Sequence, residues 1–200
     1  MKKITLKEIL VFAAAFVGLL VFCLSFAVNL KGTMVESDNV IKMTFKGAIW
    51  GCKEIKGELN GRVEVASSYE LFGLSSTGLN LFGFFGVLLP LLAAIGAVVV
   101  LFAVKNEKVR MYILLGLAFL FVLGGIFQFL LVPGEKACAL HQFMKEHPDY
   151  APYKAEVKTY IEQIFIAYNI KLGALSILSG IFTILSGGAL VASQLVKTNK

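Results

Sequence analysis

Charge is what this chain has least of. Only 16% of its 200 residues are Asp, Glu, Lys or Arg, while 58% are hydrophobic and the mean hydropathy is +0.79. Water-soluble domains carry about a quarter charged residues, so a surface this poor in charge cannot all face water. The shortage is concentrated in four places: residues 9–30, 71–104, 111–132 and 172–196 carry no charged side chain. Crossing a bilayer takes about 20 apolar residues at about 1.5 Å each, and every one of these runs is long enough. The expected fold is a membrane all-α bundle of four transmembrane helices, in one domain, with spans near 8–30, 79–104, 109–132 and 164–196.

Other shortages exclude chemistry. The chain has three Cys, two His and one Trp. It has no C-x-x-C pair, which argues against a disulfide-exchange enzyme. It also lacks a phosphate-cradling glycine loop ending in Gly-Lys-Ser/Thr, an H-E-x-x-H pair and a G-x-S-x-G elbow. No ionisable residue falls near the middle of a span, where one would mark a proton or substrate path. The expectation is a non-enzymatic protein with no cofactor and no catalytic residue.

The charges that are present sit at the ends of the spans. Lys2, Lys3 and Lys7 precede the first, "KNEKVR" (residues 105–110) links the second and third, and Lys197 and Lys200 follow the fourth. Short segments rich in Lys and Arg stay in the cytoplasm. Both termini and the link at 105–108 are therefore expected inside, with loops 31–78 and 133–163 outside, in the cell membrane. The first outer loop carries six basic and six acidic residues, the second four and five. The net charge of +6 thus orients the protein and does not point to nucleic acid. The first apolar run exceeds the roughly 7–15 residues of a signal-peptide core, so it is read as a retained span.

In the first outer loop, residues 40–46 and 62–68 partly alternate apolar and polar side chains, as half-buried strands do. Asn60-Gly61 is a strong two-residue hairpin signal between residues 53–59 and 62–68. A small extracellular sheet is expected there, with Trp50 as its anchor, since indole combines a large apolar body with one N–H donor. In the second outer loop residues 137–145 suit a short helix that "HPDYAPY" ends. From residue 154 a helical pattern runs on without interruption to 196. Pro90 is expected to kink the second span.

Three groups of residues are candidate sites. Gly173, Ser176, Gly180, Thr183 and Gly187 form a stripe of small residues at helical spacing, suited to close helix packing within the chain or between copies. Asn29, Asn80, Gln128, Asn169 and Lys171 share the outer level of the spans as a polar layer, either helix-end hydrogen bonding or a small vestibule. Cys138, His141, His147 and Asp149 lie within twelve residues and are possible zinc ligands, though their spacing matches no known site and no metal is expected. Cys23 lies within the first span as a small apolar filler. Cys52 and Cys138, one in each outer loop, could be bridged or remain thiols.

The order of span, strand-rich outer loop, span, tiny basic turn, span, smaller outer loop and span resembles the claudin and peripheral myelin protein architecture. "GAIWGC" (residues 47–52) is similar to the tryptophan–cysteine element of the claudin first loop. That resemblance implies the four-helix fold and, for Trp50 and Cys52, a place in the loop's stapled core, although Cys52 has no second cysteine in its own loop. Three functions remain open: a membrane scaffold or accessory protein, a small channel or transporter component formed by oligomerisation, and an enzyme with an unrecognised site. The expected partners are the lipid bilayer and other membrane proteins or further copies of the chain.

Overall fold

The structure, a computed structural model, describes residues 5–27, 29–36, 39–52, 54–59, 62–67 and 73–196. Four helices are long and apolar enough to cross a membrane: α1 (Leu6–Leu24), α2 (Leu81–Ala103), α3 (Glu107–Phe129) and, last in the chain, Ala174–Leu195. The chain divides into a helix unit (Met1–Leu24, Phe85–Gln128, Leu178–Lys200) and a sheet unit (Ser25–Phe84, Phe129–Ile177).

Helix starts follow from capping chemistry. Thr5 and Glu8 form a reciprocal box at the start of α1, with the Thr5 N–H donating to the Glu8 carboxylate at 2.7 Å and the Glu8 N–H to Thr5 Oγ1 at 3.3 Å. Orphan N–H groups of the first turn are satisfied this way. Asn106 does the same for α3, its Oδ1 accepting from the N–H groups of Lys108 and Val109.

The core of the helix unit is built from small residues. Val11, Ala14, Ala15, Ala93, Ala94, Ala97, Leu114, Ala118, Phe121 and Leu190 form one buried cluster. Glycines bring backbones close. A Cβ at Gly125 would lie 2.9 Å from the Gly180 carbonyl oxygen, and one at Gly187 would lie 2.8 Å from that of Ala118. Gly124 receives the ring of Pro90, the proline inside α2. Of the expected stripe, Ser176, Gly180, Thr183 and Gly187 are buried on the last helix and Gly173 is buried just before it. At Gly180 and Gly187 the stripe packs within the chain, and the helix bearing Gly116 leaves that glycine with nothing within 4 Å.

The sheet unit holds four strands from the first expected outer loop: β1 (Asn29–Glu36), β2 (Asn39–Lys46), β3 (Glu54–Leu59) and β4 (Arg62–Ser67). A two-residue strand β5 (Lys171–Leu172) completes an antiparallel sheet of order β4-β3-β2-β1-β5. The β3–β4 register closes on Leu59 opposite Arg62, and the intervening Asn60 and Gly61 lie outside the described residues. Leu30, Phe45 and Ile55 face one another across the strands and are fully buried, with Ala48, Ile49, Cys52 and Leu74.

Helix α4 (Leu131–Glu146) begins one residue after α3. Its Pro133 is tolerated because first-turn N–H groups have no helical partner to lose. A 3₁₀ turn (Pro148–Tyr153) and α5 (Lys154–Ala167) follow.

Three expectations are corrected. The first span ends at Leu24, and residues 29 and 30 begin β1. The third helix ends at Phe129, with α4 claiming residues expected in the span. The uninterrupted helix from 154 to 196 is broken: α5 stops at Ala167, Asn169 takes a left-handed φ of 42°, and β5 intervenes before α6 (Ala174–Leu195). Asn tolerates that conformation better than other non-glycine residues, which makes it a natural helix terminator. Residues 154–196 contain no proline, so the sequence reads as one helix.

Candidate functional site

The most unusual group in the sheet unit is Glu135. It lies on the second turn of α4 with no exposed surface. Carboxylates are almost never fully buried without a partner, because removing the charge from water carries a large penalty. The Asn80 amide donates to Glu135 Oε2 at 3.2 Å and to the Leu131 carbonyl at 2.9 Å. The same side chain caps α2, its Oδ1 accepting from the Gly83 N–H at 3.1 Å. Among the described residues Glu135 Oε1 has no hydrogen-bond partner. Gly134 makes the arrangement possible, since a Cβ there would collide with Asn80 Oδ1. Burial raises the Glu135 pKa from 4.5 to about 7, and the polar groups of Thr77 and Asn80 beside it only partly offset that. The group therefore holds a proton close to neutral pH.

Around this carboxyl the backbone is pinned. Thr77 Oγ1 accepts from the Cys52 N–H at 3.0 Å, and the Thr77 N–H donates to the Cys52 carbonyl at 3.1 Å. Gly51 has φ 100°, and a side chain there would press on the Gly78 carbonyl 3.2 Å away, so glycine is required beside Cys52. Cys138, one turn along from Glu135, gives its thiol to the Leu79 carbonyl at 3.0 Å. Burial, with the nearby Glu135 as a lesser cause, raises its pKa above the usual 9.0. A thiol held protonated is a poor nucleophile and metal ligand. The arrangement latches α4 to the start of α2.

The sequence-level candidates fare differently. Cys52 and Cys138 are both thiols, the second of the two states that the sequence left open. Cys138, His141, His147 and Asp149 do not converge: His147 Nε2 contacts the Gly73 carbonyl at 3.1 Å, and among the described residues no group of three or more His, Cys, Asp or Glu is arranged to hold a metal. Trp50 is 38% exposed, stacked on Phe26 at 5.4 Å and edge-on to Phe84 at 6.1 Å, so Ile49 beside it, fully buried, is the deeper anchor.

The five-membered polar layer divides. Asn80 joins Glu135. Gln128 belongs to the helix unit, where its amide donates to the Gly86 carbonyl at 2.8 Å and to Thr183 Oγ1 at 3.4 Å. Asn169 is exposed at the turn, Lys171 is an exposed strand residue, and the side chain of Asn29 lies outside the described residues. Glu135 itself was not legible as a site. A Glu in "PGEK" just past an apolar run reads as a solvated loop residue, and only the helix beginning at Leu131 turns it inward.

Elsewhere on this unit Phe143, Tyr150, Tyr153, Val157 and Tyr160 line an open concavity of about 490 Å³ with Glu156 at its edge. No family model and no curated protein matches the chain.

Proposed function

We propose that this is a non-enzymatic integral membrane accessory protein. It spans the cell membrane four times with both termini inside, and it binds a partner through the sheet unit on the outer side. The claudin-like reading of its architecture belongs to this proposal. The observation that carries it is how the helix unit handles its polar groups. Thr183, Ser186 and Ser193 each return their hydroxyl to a carbonyl of their own helix, at 2.7, 2.8 and 2.6 Å, and so satisfy it without an ion or water. Insertion is supported by large apolar side chains left bare on that unit, with Phe16, Phe102, Phe119 and Leu185 each at least 60% exposed. Lipid accepts such a surface and water does not.

A channel formed by oligomerisation is the second reading. Gln128 Oε1 and Ser179 Oγ are buried in the helix unit without partners, and water would satisfy them. Photo-crosslinking from Thr33 and Tyr153 in living cells should trap one discrete partner or a second copy. The purified chain in sealed vesicles should pass no more ions than empty vesicles do. Flux above that background, with no crosslinked species, would replace the accessory role by the channel.

A further inference from the structure

We infer that the open face of the sheet is a binding site for a phosphate-bearing polyanion. This deepens the proposal that the sheet unit binds a partner, and rests on that reading for its biological setting.

The register places the residues. Lys171, Lys31, Thr44 and Lys56 fall in one row across β5, β1, β2 and β3, and Thr33, Lys42 and Glu58 fall in the next such row. Side chains alternate along a strand, so both rows point away from the face that buries Leu30, Phe45 and Ile55. Between them runs the row Gly32, Met43 and Gly57, which puts no side chain on the open face. The result is a groove of about 420 Å³ floored by backbone and walled by lysine stems.

The charge is segregated in a way that folding alone does not favour. Lys31 and Lys171 stand directly opposite each other on neighbouring strands, and like charges at such positions destabilise a sheet. None of the four lysines belongs to an ion pair among the described residues. With Glu58 the only acid among the described residues lining the groove, four cations against one carboxylate leave a local charge of +3. Strands lie about 4.8 Å apart and alternate residues about 6.8 Å along a strand, so the ammonium groups rise from a patch roughly 14 Å by 7 Å. A monovalent anion would satisfy one of them. A chain of phosphates satisfies all four, with Lys supplying point charge and the hydroxyls of Thr33 and Thr44 supplying donors between. The even balance of six basic and six acidic residues in this loop conceals the segregation, because only strand register sorts the charges by face.

The test is binding of labelled inorganic polyphosphate to the full chain purified in neutral detergent. Binding should weaken steeply with added salt. A Lys31→Gln/Lys56→Gln double variant should bind about tenfold more weakly, since exposed charge contacts are each worth a few-fold. A Lys136→Gln/Lys158→Gln control, altered on α4 and α5, should bind like the parent. Size-exclusion profile and melting temperature show that both variants remain folded. No binding at low salt, or equal binding by the double variant, overturns the inference. Equal affinity for polyglutamate overturns the phosphate assignment, and displacement of polyphosphate by phosphatidylglycerol vesicles at matched phosphate reassigns the face to lipid. Polyphosphate binding without any crosslinked partner in cells would leave this site standing and sink the accessory reading; a crosslinked partner without polyphosphate binding does the reverse.

Discussion

A Glu135→Gln variant should be more stable than the parent by about 3 kcal/mol above pH 7, and nearly equal to it below pH 4.5, given a folded-state pKa of about 7 against 4.5. The sign follows from the direction of the shift. Burial favours the protonated carboxyl, so its stabilising share is fully present below 4.5. As pH rises the unfolded chain ionises first and gains solvation that the folded chain lacks. That share is lost by the time pH passes about 7. Gln cannot ionise, and its carbonyl still accepts from Asn80. The measurement is the unfolding midpoint of both proteins in detergent at several pH values. The parent should weaken from acid to neutral pH while the variant stays level. Parallel curves would mean that Glu135 is solvated or differently paired.

Gly125 and Gly116 lie on the same helix and should respond to alanine in opposite directions. A Cβ at Gly125 would sit 2.9 Å from the Gly180 carbonyl and 2.5 Å from Ile184 Cγ1, whereas at Gly116 it meets nothing within 4 Å. Gly125→Ala forces α3 and α6 apart, and overpacking of this kind costs about 1–3 kcal/mol. Gly125→Leu should go further and prevent the two helices from packing. Gly116→Ala should be neutral or stabilise by up to about 1 kcal/mol, because glycine inside a helix carries an entropic penalty that alanine removes. Unfolding midpoints of the three variants decide it. A destabilised Gly116→Ala would reveal a helix contact on that face with a second molecule.

The four long helices were legible because 20-residue uncharged runs have few alternatives. The sheet was legible where alternation and a hairpin dipeptide coincide, at residues 40–46 and around Asn60-Gly61. Strand β1 was hidden because "NLKGTMVE" follows an apolar run without a breaker, so residues 29 and 30 read as helix. Strand β5 was hidden because two residues show no periodicity; only pairing with Leu30 and Lys31 makes Lys171 and Leu172 a strand. The buried carboxyl and the basic face are tertiary facts. One depends on which way α4 turns at Leu131, the other on register, in which a one-residue slip would invert every side chain.

The most direct test of the central claim, four spans with the sheet unit outside, is single-cysteine labelling of intact cells. With Cys23, Cys52 and Cys138 replaced by Ala, a membrane-impermeant maleimide should label Lys42→Cys on the sheet and Tyr153→Cys after α4, and should label Asn106→Cys between α2 and α3 only after permeabilisation. Labelling of Asn106→Cys in intact cells, with Lys42→Cys and Tyr153→Cys protected until permeabilisation, would invert the topology. Labelling of Lys42→Cys and Tyr153→Cys from opposite sides would contradict the four-span account altogether.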